Sequence, residues 1–386
     1  HRDLHSFPTR RSSDLENCVN IYKFPQTTGK IIDVDEKEDL AVLIFTSGST
    51  GVPKGVMQTH LNIKANTLSI IEYLNLQPTD RMMVVLPFSY CFGTSLLHTH
   101  LRVGGQCVFN NQFMFPGKVL NEINEKQCTG FAGVPSNYQI LLRRSPIKSM
   151  KFPTLRLCQQ AGGKLANTFI LELHETLPTT EIFIMYGQTE ATARLSHLPP
   201  KLLLTKLGSI GKGIPGVTLE VLNKEGNPVK GDEIGEIVAA GENITKGYWQ
   251  EPAETAKTFR NGKLYTGDLA VVDSDGYLFL VDREKEILKV GGYRVSPKEI
   301  EDHIVKNQEV IEAAVIGIED DLLGEAAKAF VTVKTGSQIT PEEIIQFCRV
   351  ELPDYKTPKV VEFIDEIPKN TSGKIDKVTL RKLNKK

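Results

Sequence analysis

Short apolar runs alternate along the first half of the chain with segments of helical period. LAVLIF (40–45), RMMVVLP (81–87), GGQCVF (104–109), TGFAGVP (129–135), LRLCQQAGG (155–163) and EIFIMYG (181–187) have the length of strands. Between them, LNIKANTLSIIEYL (61–74) and GKVLNEINEKQ (117–127) repeat apolar residues three and four apart, which predicts helices. LAVLIF is continuous and runs into the turn-forming SGSTG, so it is expected to be a buried parallel strand ending in a loop. Strand alternating with helix predicts a largely parallel sheet covered on both faces. After about Lys206 the texture changes to short strands cut by glycine: GIPGVTLEVLNKEGNPV, GEIVAAG and KLYTGDLAVVDSDGYLFLVD. These predict an antiparallel, barrel-like subdomain.

Beyond Asp282 the order of strands and helices is that of a small α+β domain. The expected partition is therefore a large α/β domain over 16–282, its β-rich part over 206–282, and a small α+β C-terminal lid domain over 283–386. The junction from Asp282 to Lys285 is charged and has neither Gly nor Pro, so the two are expected to join tightly. The first fifteen residues, HRDLHSFPTRRSSDL, are basic and unpatterned and do not begin with Met; they are expected to be a non-native tail.

Composition changes this picture little. A length of 386 residues exceeds one compact core, and 40% hydrophobic with 24% charged residues suits a globular chain. Forty-six basic against forty-seven acidic residues leave a net charge of −1, so nothing global draws the chain to nucleic acid or an anionic membrane. No stretch approaches the ~18 apolar residues of a membrane span, and the amino end lacks a signal-like apolar core; a cytoplasmic protein is expected. Six scattered cysteines form no C-x-x-C pair and are expected to be reduced. His98 and His100 would share a face only on a strand, and a structural role is expected for them rather than a metal.

Four segments carry candidate chemistry. In Thr46-Ser47-Gly48-Ser49-Thr50-Gly51-Val52-Pro53-Lys54-Gly55 the glycines let backbone N–H groups turn inward, and hydroxyls with one lysine add donors, as a polyphosphate requires. The spacing is not that of a Walker loop, and a flexible polar linker is the plain alternative. Met185-Tyr186-Gly187-Gln188-Thr189-Glu190 ends an apolar strand: Tyr186 can stack on a purine, Thr189 can bind phosphate and Glu190 can hold Mg2+. It could equally be a bare strand-to-helix turn. Asp268, after the turn Tyr265-Thr-Gly, could take both hydroxyls of a ribose, although such turns are common. Lys369-Asn-Thr-Ser-Gly-Lys374-Ile presents Lys374 in a glycine-containing loop within a basic carboxyl end that could also be a solvated tail.

Taken in order, TSGSTGVPKG, YGQTE, YTGD, DREKEILKVGGYRVSPKEIE and PKNTSGK resemble the adenylate-forming acyl-activating superfamily of acyl-CoA synthetases, luciferases and peptide-synthetase adenylation domains. The resemblance covers about Leu40 to Lys382. It implies that ATP and a carboxylate give an acyl-adenylate and pyrophosphate, after which a thiol, usually that of coenzyme A, takes the acyl group. It places Thr46, Ser47, Gly48, Ser49, Thr50, Gly51 and Lys54 near the β and γ phosphates, with Thr50 and Glu190 toward Mg2+. It sets the adenine by Ala161 to Leu165, including Gly162 and Gly163, and by Tyr186, and counts Gly187 and Gln188 among the nucleotide-binding residues. Thr189 matches the α-phosphate position, and Asp268 with Arg283 the ribose pair. Lys374 matches the lysine that bridges carboxylate and α-phosphate, where a cation offsets their repulsion.

For the second step the resemblance implies that the small domain swings about Lys285. Lys289 with the Gly291-Gly292 strand would then face the adenylate and the pantetheine. On residue pattern alone, Lys285 and Lys289 would be a helix-surface pair with Glu284 and Glu286. The acyl pocket is expected at Tyr90, which stands where the family often has His, and at Val134, Pro135 and Gly162. The leading expectation is a carboxylate–CoA ligase acting on a fatty or related acid. One alternative is a stand-alone enzyme loading a carrier-protein thiol; another is a nucleotide-binding protein without catalysis, which Lys374, Glu190 and Lys54 oppose. Family members carry a further block of strands ahead of the phosphate loop, so the chain is expected to be a fragment, with exposed sheet edge that promotes aggregation. A monodisperse, cooperatively melting sample of the 386-residue chain would contradict that expectation.

Overall fold

The first apolar run does not behave as its composition suggests. Strand β1 (Leu40–Thr46) pairs antiparallel with β2 (Lys54–Thr59) in a two-stranded hairpin, and of its apolar side chains only Ile44 is buried, while Phe45 is 59% exposed. A continuous apolar run does not distinguish a parallel from an antiparallel partner, and here the partner is the strand that follows next in the chain. The computed structural model describes residues 33–46, 53–371 and 373–384. Contacts divide the chain into residues 1–35 and 36–386, and every element below belongs to the second unit. The unpatterned 1–15 segment lies outside the described residues.

The other five runs are the parallel strands β3 (Arg81–Val84), β4 (Gln106–Phe109), β5 (Gly130–Gly133), β6 (Leu157–Gln160) and β7 (Glu181–Tyr186). Antiparallel β8 (Ser196–Leu198) and β9 (Lys212–Gly213) complete the order β4-β3-β5-β6-β7-β8-β9. Helices α1 (His60–Leu74) and α2 (Cys91–Val103) cover one face; α3 (Pro116–Glu125), α4 (Pro135–Arg144) and α5 (Asn167–Thr176) cover the other. Alternation along each strand sends Met83, Phe131, Cys158 and Ile182 toward α3–α5, and Val84, Ala132, Leu157 and Phe183 toward α1 and α2. Two-sided burial is why β3, β5 and β7 read as apolar runs, whereas β4 at the sheet edge has no buried residue. His98 and His100 lie on α2, not on a strand.

The β-rich region is a five-stranded antiparallel sheet of β10 (Val217–Leu222), β11 (Gly235–Gly241), β12 (Phe259–Arg260), β13 (Lys263–Val272) and β14 (Leu278–Arg283), with helix α6 (Pro252–Thr258) before β12. The C-terminal region is α+β. Antiparallel strands β15 (Leu288–Val290), β16 (Tyr293–Val295), β17 (Val310–Asp320) and β18 (Gly324–Val333) are joined by β19 (Val360–Phe363), parallel to β18. Helices α7 (Pro297–Ile304), α8 (Pro341–Glu351) and α9 (Lys377–Leu383) complete it. Among the described residues no helix is long and apolar enough to cross a membrane.

One buried carboxylate ties the lower ends of the parallel strands together. Asp80, 2% exposed, accepts from Arg156 Nε at 2.7 Å, from the Thr129 hydroxyl at 2.8 Å and from the Gln77 amide at 2.7 Å. Burial alone would raise its pKa, but Arg156 and the Gln77 and Thr129 donors outweigh it and hold the carboxyl below its ordinary 3.8. A depressed folded pKa means that the stabilisation is fully present above the unfolded value near 4 and is lost as the pH falls through the folded pKa. Asp80→Asn should therefore cost about 2 kcal/mol in urea unfolding at pH 7, with the difference from wild type shrinking below about pH 4.

Candidate active site

Gly267 has φ 73° and sits in an irregularity of the β11–β13 pairing, so the YTGD segment is a bulge inside β13 rather than a turn between elements. The bulge aims Asp268, 6% exposed, at the end of β7 and the end of β14. Its Oδ2 accepts from the Tyr186 hydroxyl at 2.7 Å and its Oδ1 from Arg283 Nε at 3.0 Å. Burial first, then the Asp268 charge, pushes the Tyr186 phenol far above its usual pKa, so it remains a donor. Asp268 in turn raises the pKa of Arg283.

The YGQTE segment leaves β7 through Gly187, where a methyl group would overlap the Ala193 carbonyl oxygen, and passes Gln188 into a 3-10 turn, Thr189–Ala191. Thr192 follows with φ 67°, a strained value for a β-branched residue. Its hydroxyl donates to Asn243 O at 2.7 Å, and Gln58 Nε2 donates to the carbonyls of Thr189 and Thr192, both at 3.3 Å. Glu190 Oε1 accepts from the Tyr248 hydroxyl at 2.8 Å. The Thr189 hydroxyl faces Cys91 Sγ at 3.5 Å.

Lys374 comes to these groups from the other end of the chain. Residues 369 and 375 pair across a tight loop in which Gly373 N donates to Asn370 O and Asn370 N to Lys374 O. Gly373 O accepts from Ser136 Oγ at 2.9 Å, the hydroxyls of Thr371 and Tyr90 are hydrogen-bonded, and Lys164 pairs with Asp302 at 3.3 Å. Lys374 Cε lies 3.3 Å from where a Gly162 Cβ would be, and the same point is 2.9 Å from Val134 Cγ1; Gly163 abuts Pro135. Lys374 is exposed as a residue, yet burial at its ammonium end and then the Arg283 charge lower its pKa, while Cys91, Asp268 and Glu190 pull the other way.

The structure thus gathers Tyr186, Glu190, Asp268, Arg283, Gly162, Val134 and Lys374 about one cleft. Thr46 pairs with Lys54 in the hairpin and closes the base of the loop between them, whose residues Ser47, Gly48, Ser49, Thr50 and Gly51 lie outside the described residues. Lys54 binds Glu254 Oε2 at 2.6 Å, 5.1 Å above the Tyr248 ring. Lys285 is exposed in a 3-10 turn and Lys289 is on β15, so they are not a pair on one helix. Gly291 (φ 55°) and Gly292 (φ 85°) are the turn joining β15 to β16, not a strand, and both are exposed. The Lys289 amide donates to Glu325 Oε2 within the C-terminal region.

Residues 7–249 match the model of the AMP-binding enzyme family, and residues 299–374 match that of the AMP-binding enzyme C-terminal domain. The chain belongs to the AMP-binding enzyme family. This AMP-binding enzyme is 34% identical to a 2-succinylbenzoate–CoA ligase of Geobacillus sp. (strain WCH70) over 348 residues, 90% of the chain and 69% of that protein. It is 36% identical to a long-chain-fatty-acid–CoA ligase of Yersinia pestis over 348 residues, 89% of the chain but 61% of that relative. Its fold superposes on the anthranilate CoA ligase AuaEII in complex with anthranoyl-AMP with a TM-score of 0.83 at 30% identity, covering 90% of this chain and 68% of that one.

Several supports of this AMP-binding enzyme's cleft had no motif to mark them. Gln58, Tyr248 and Asn243 lie far in sequence from the segment they hold, and Cys91 lies beside Tyr90, an expected acyl-pocket residue, without being singled out. Only the glycine-bounded GYWQ around Tyr248 hinted at a fixed turn. The Tyr186–Asp268 bond is testable: Tyr186→Phe leaves a buried carboxylate oxygen without its donor and should lower stability by about 1–3 kcal/mol in thermal or denaturant melts.

Proposed function

We propose that this chain activates a carboxylic acid with ATP, forming an acyl-adenylate and pyrophosphate, and then passes the acyl group to the thiol of coenzyme A. The observation that carries the proposal is Lys374, delivered by its own loop to a cleft bounded by Gly162 and Val134 and within electrostatic reach of Glu190, Asp268 and Arg283. A carboxylate and a triphosphate repel each other, and an ammonium between them favours attack on the α-phosphorus as negative charge builds on its oxygens. Asp268, with its donors Tyr186 and Arg283, would accept from the ribose hydroxyls; Tyr186 with Gly162 and Gly163 would border the adenine. Thr189 would donate to the α-phosphate. Lys54 would exchange Glu254 for the β and γ phosphates.

Glu190 offers Mg2+ a hard oxygen: among the described residues Tyr248 donates to Oε1, and the carboxylate has a second oxygen, Oε2. Glu190 with Thr50 would hold the ion, which when bound would neutralise charge on the departing pyrophosphate. For the second step, the region from 283 onward would turn about Lys285 and present Lys289 and the Gly291–Gly292 turn. The names of the relatives as CoA ligases support coenzyme A over a carrier-protein thiol. Their printed acids, 2-succinylbenzoate and long-chain fatty acids, differ too widely to select a fatty acid for this chain.

The test is acid-dependent pyrophosphate release followed by thioester formation. Lys374→Ala should slow adenylate formation about 100-fold or more and spare thioester formation from supplied acyl-adenylate, whereas Lys289→Ala should do the reverse. Pyrophosphate release independent of any acid would refute the function, and equal loss of both steps in each variant would refute the division of labour.

A further inference from the structure

Lys164 directly follows Gly162 and Gly163, and its loop is pinned by Gln160, whose Nε2 donates to Gly163 O at 2.8 Å. The Lys164 ammonium lies 3.3 Å from Asp302 Oδ2 on α7, in the C-terminal region. Among the described residues this is the one ion pair that joins a residue before Asp282 to a residue after Lys285. It opens a row of charges that alternate in sign. Asp302 Oδ1 faces Lys298 at 3.2 Å, and Lys298 lies 3.4 Å from Glu301 Oε2. Glu301 Oε1 lies 2.9 Å from Lys377, and Lys377 lies 3.0 Å from Glu286 Oε2.

An isolated exposed ion pair contributes little, because water screens it and ordering two long side chains costs entropy. This row is set deeper. The Glu301 side chain is 4% exposed and that of Lys377 14%, and Glu301 also accepts from the Val315 amide at 2.9 Å. Burial opposes ionisation of Glu301, but Lys377 and Lys298 outweigh it and hold the carboxyl below its ordinary pKa. The far end of the row leads to Lys374 and to the expected hinge: Lys377 opens α9 three residues after Lys374, and Glu286 closes the 3-10 turn that contains Lys285. The row thus fastens the start of α9 and that turn to α7. The Lys374 loop meets the rest of the chain at a separate point, where Ser136 Oγ donates to Gly373 O at 2.9 Å. One contact leaves a body free to pivot; a second contact, at Asp302, stops it.

We propose that Asp302 is a positioning residue: its pair with Lys164 latches the C-terminal region in the orientation that sets Lys374 against Gly162 and Val134, and opens when the region turns for the thioester step. The proposal rests on the two-step reading above and deepens it. An ion pair made in one orientation and not in the other biases the balance between them by its own strength. Asp302 therefore favours adenylate formation without touching a reacting atom.

The experiment follows adenylate formation from hexanoate, palmitate or 2-succinylbenzoate in the 386-residue chain, and thioester formation from supplied acyl-adenylate and coenzyme A. Amide hydrogen exchange of the 369–376 segment is read alongside, since it needs no turnover. Asp302→Lys sets like charges opposite Lys164 and Lys298, and should slow adenylate formation about 10-fold, leave the thioester step no slower and reduce protection of the loop amides. Asp302→Asn only removes the charge and should cost about 3-fold; it carries the comparison if Asp302→Lys melts well below wild type. Lys164→Glu alone should also lose adenylate formation, whereas Lys164→Glu combined with Asp302→Lys restores opposite charges and should recover most of the rate and of the loop protection. Adenylate formation unchanged in both Asp302 variants would overturn the proposal and leave the adenylation reading intact. So would an equal loss of both steps, or a loss that the reversed pair does not recover, because a residue that only supports the fold behaves in that way. A wild-type chain that forms no adenylate would refute the adenylation reading; loop protection that still falls in Asp302→Lys and returns in the reversed pair would support the latch, and protection that does not move would overturn it.

Discussion

A carboxylate taken out of water must have its oxygens matched, and Asp268 meets that requirement with groups from two other strands. Tyr186 ends the last parallel strand of the central sheet, Asp268 sits in the bulge of the antiparallel sheet, and Arg283 closes the strand that leads into the C-terminal region. The three regions meet at one shared charge. Satisfying Asp268 fixes where the two sheets end relative to each other and where the chain departs toward β15. Shifting the bulge by one residue would turn the carboxylate to the opposite face and separate all three.

The architecture was legible because it depends on periodicity. Five apolar runs became parallel strands, the inner ones apolar because both their faces are covered, and the glycine-cut segments after Lys206 became antiparallel strands. LAVLIF misled for the same reason: its composition reports hydrophobicity, while the direction of its partner is set by the turn that follows. The glycines of LKVGGYRV were likewise read as strand, although their left-handed φ values make them the reversal between two short strands.

The site was legible where chemistry is local and opaque where it is assembled from a distance. YGQTE, YTGD and PKNTSGK each keep their candidate residue within a short segment, and the fold brings the three segments together. The residues that brace those segments, such as Gln58, Asn243 and Tyr248, act across more than fifty positions, and no spacing rule links them. Arg194 was invisible for a different reason. An arginine in a sequence reads as surface, and only the fold shows this one to be buried, at 1% exposure.

The loop from Lys369 to Ile375 closes on itself through its own backbone hydrogen bonds, with Asn370 bonded to both Gly373 and Lys374. Where it meets Ser136 and Val134, these bonds already restrain the main chain beside Lys374, so less torsional freedom remains for that contact to remove. A lysine carried on a pliable tail would pay that ordering cost at every encounter. Here it is met once, when the chain folds.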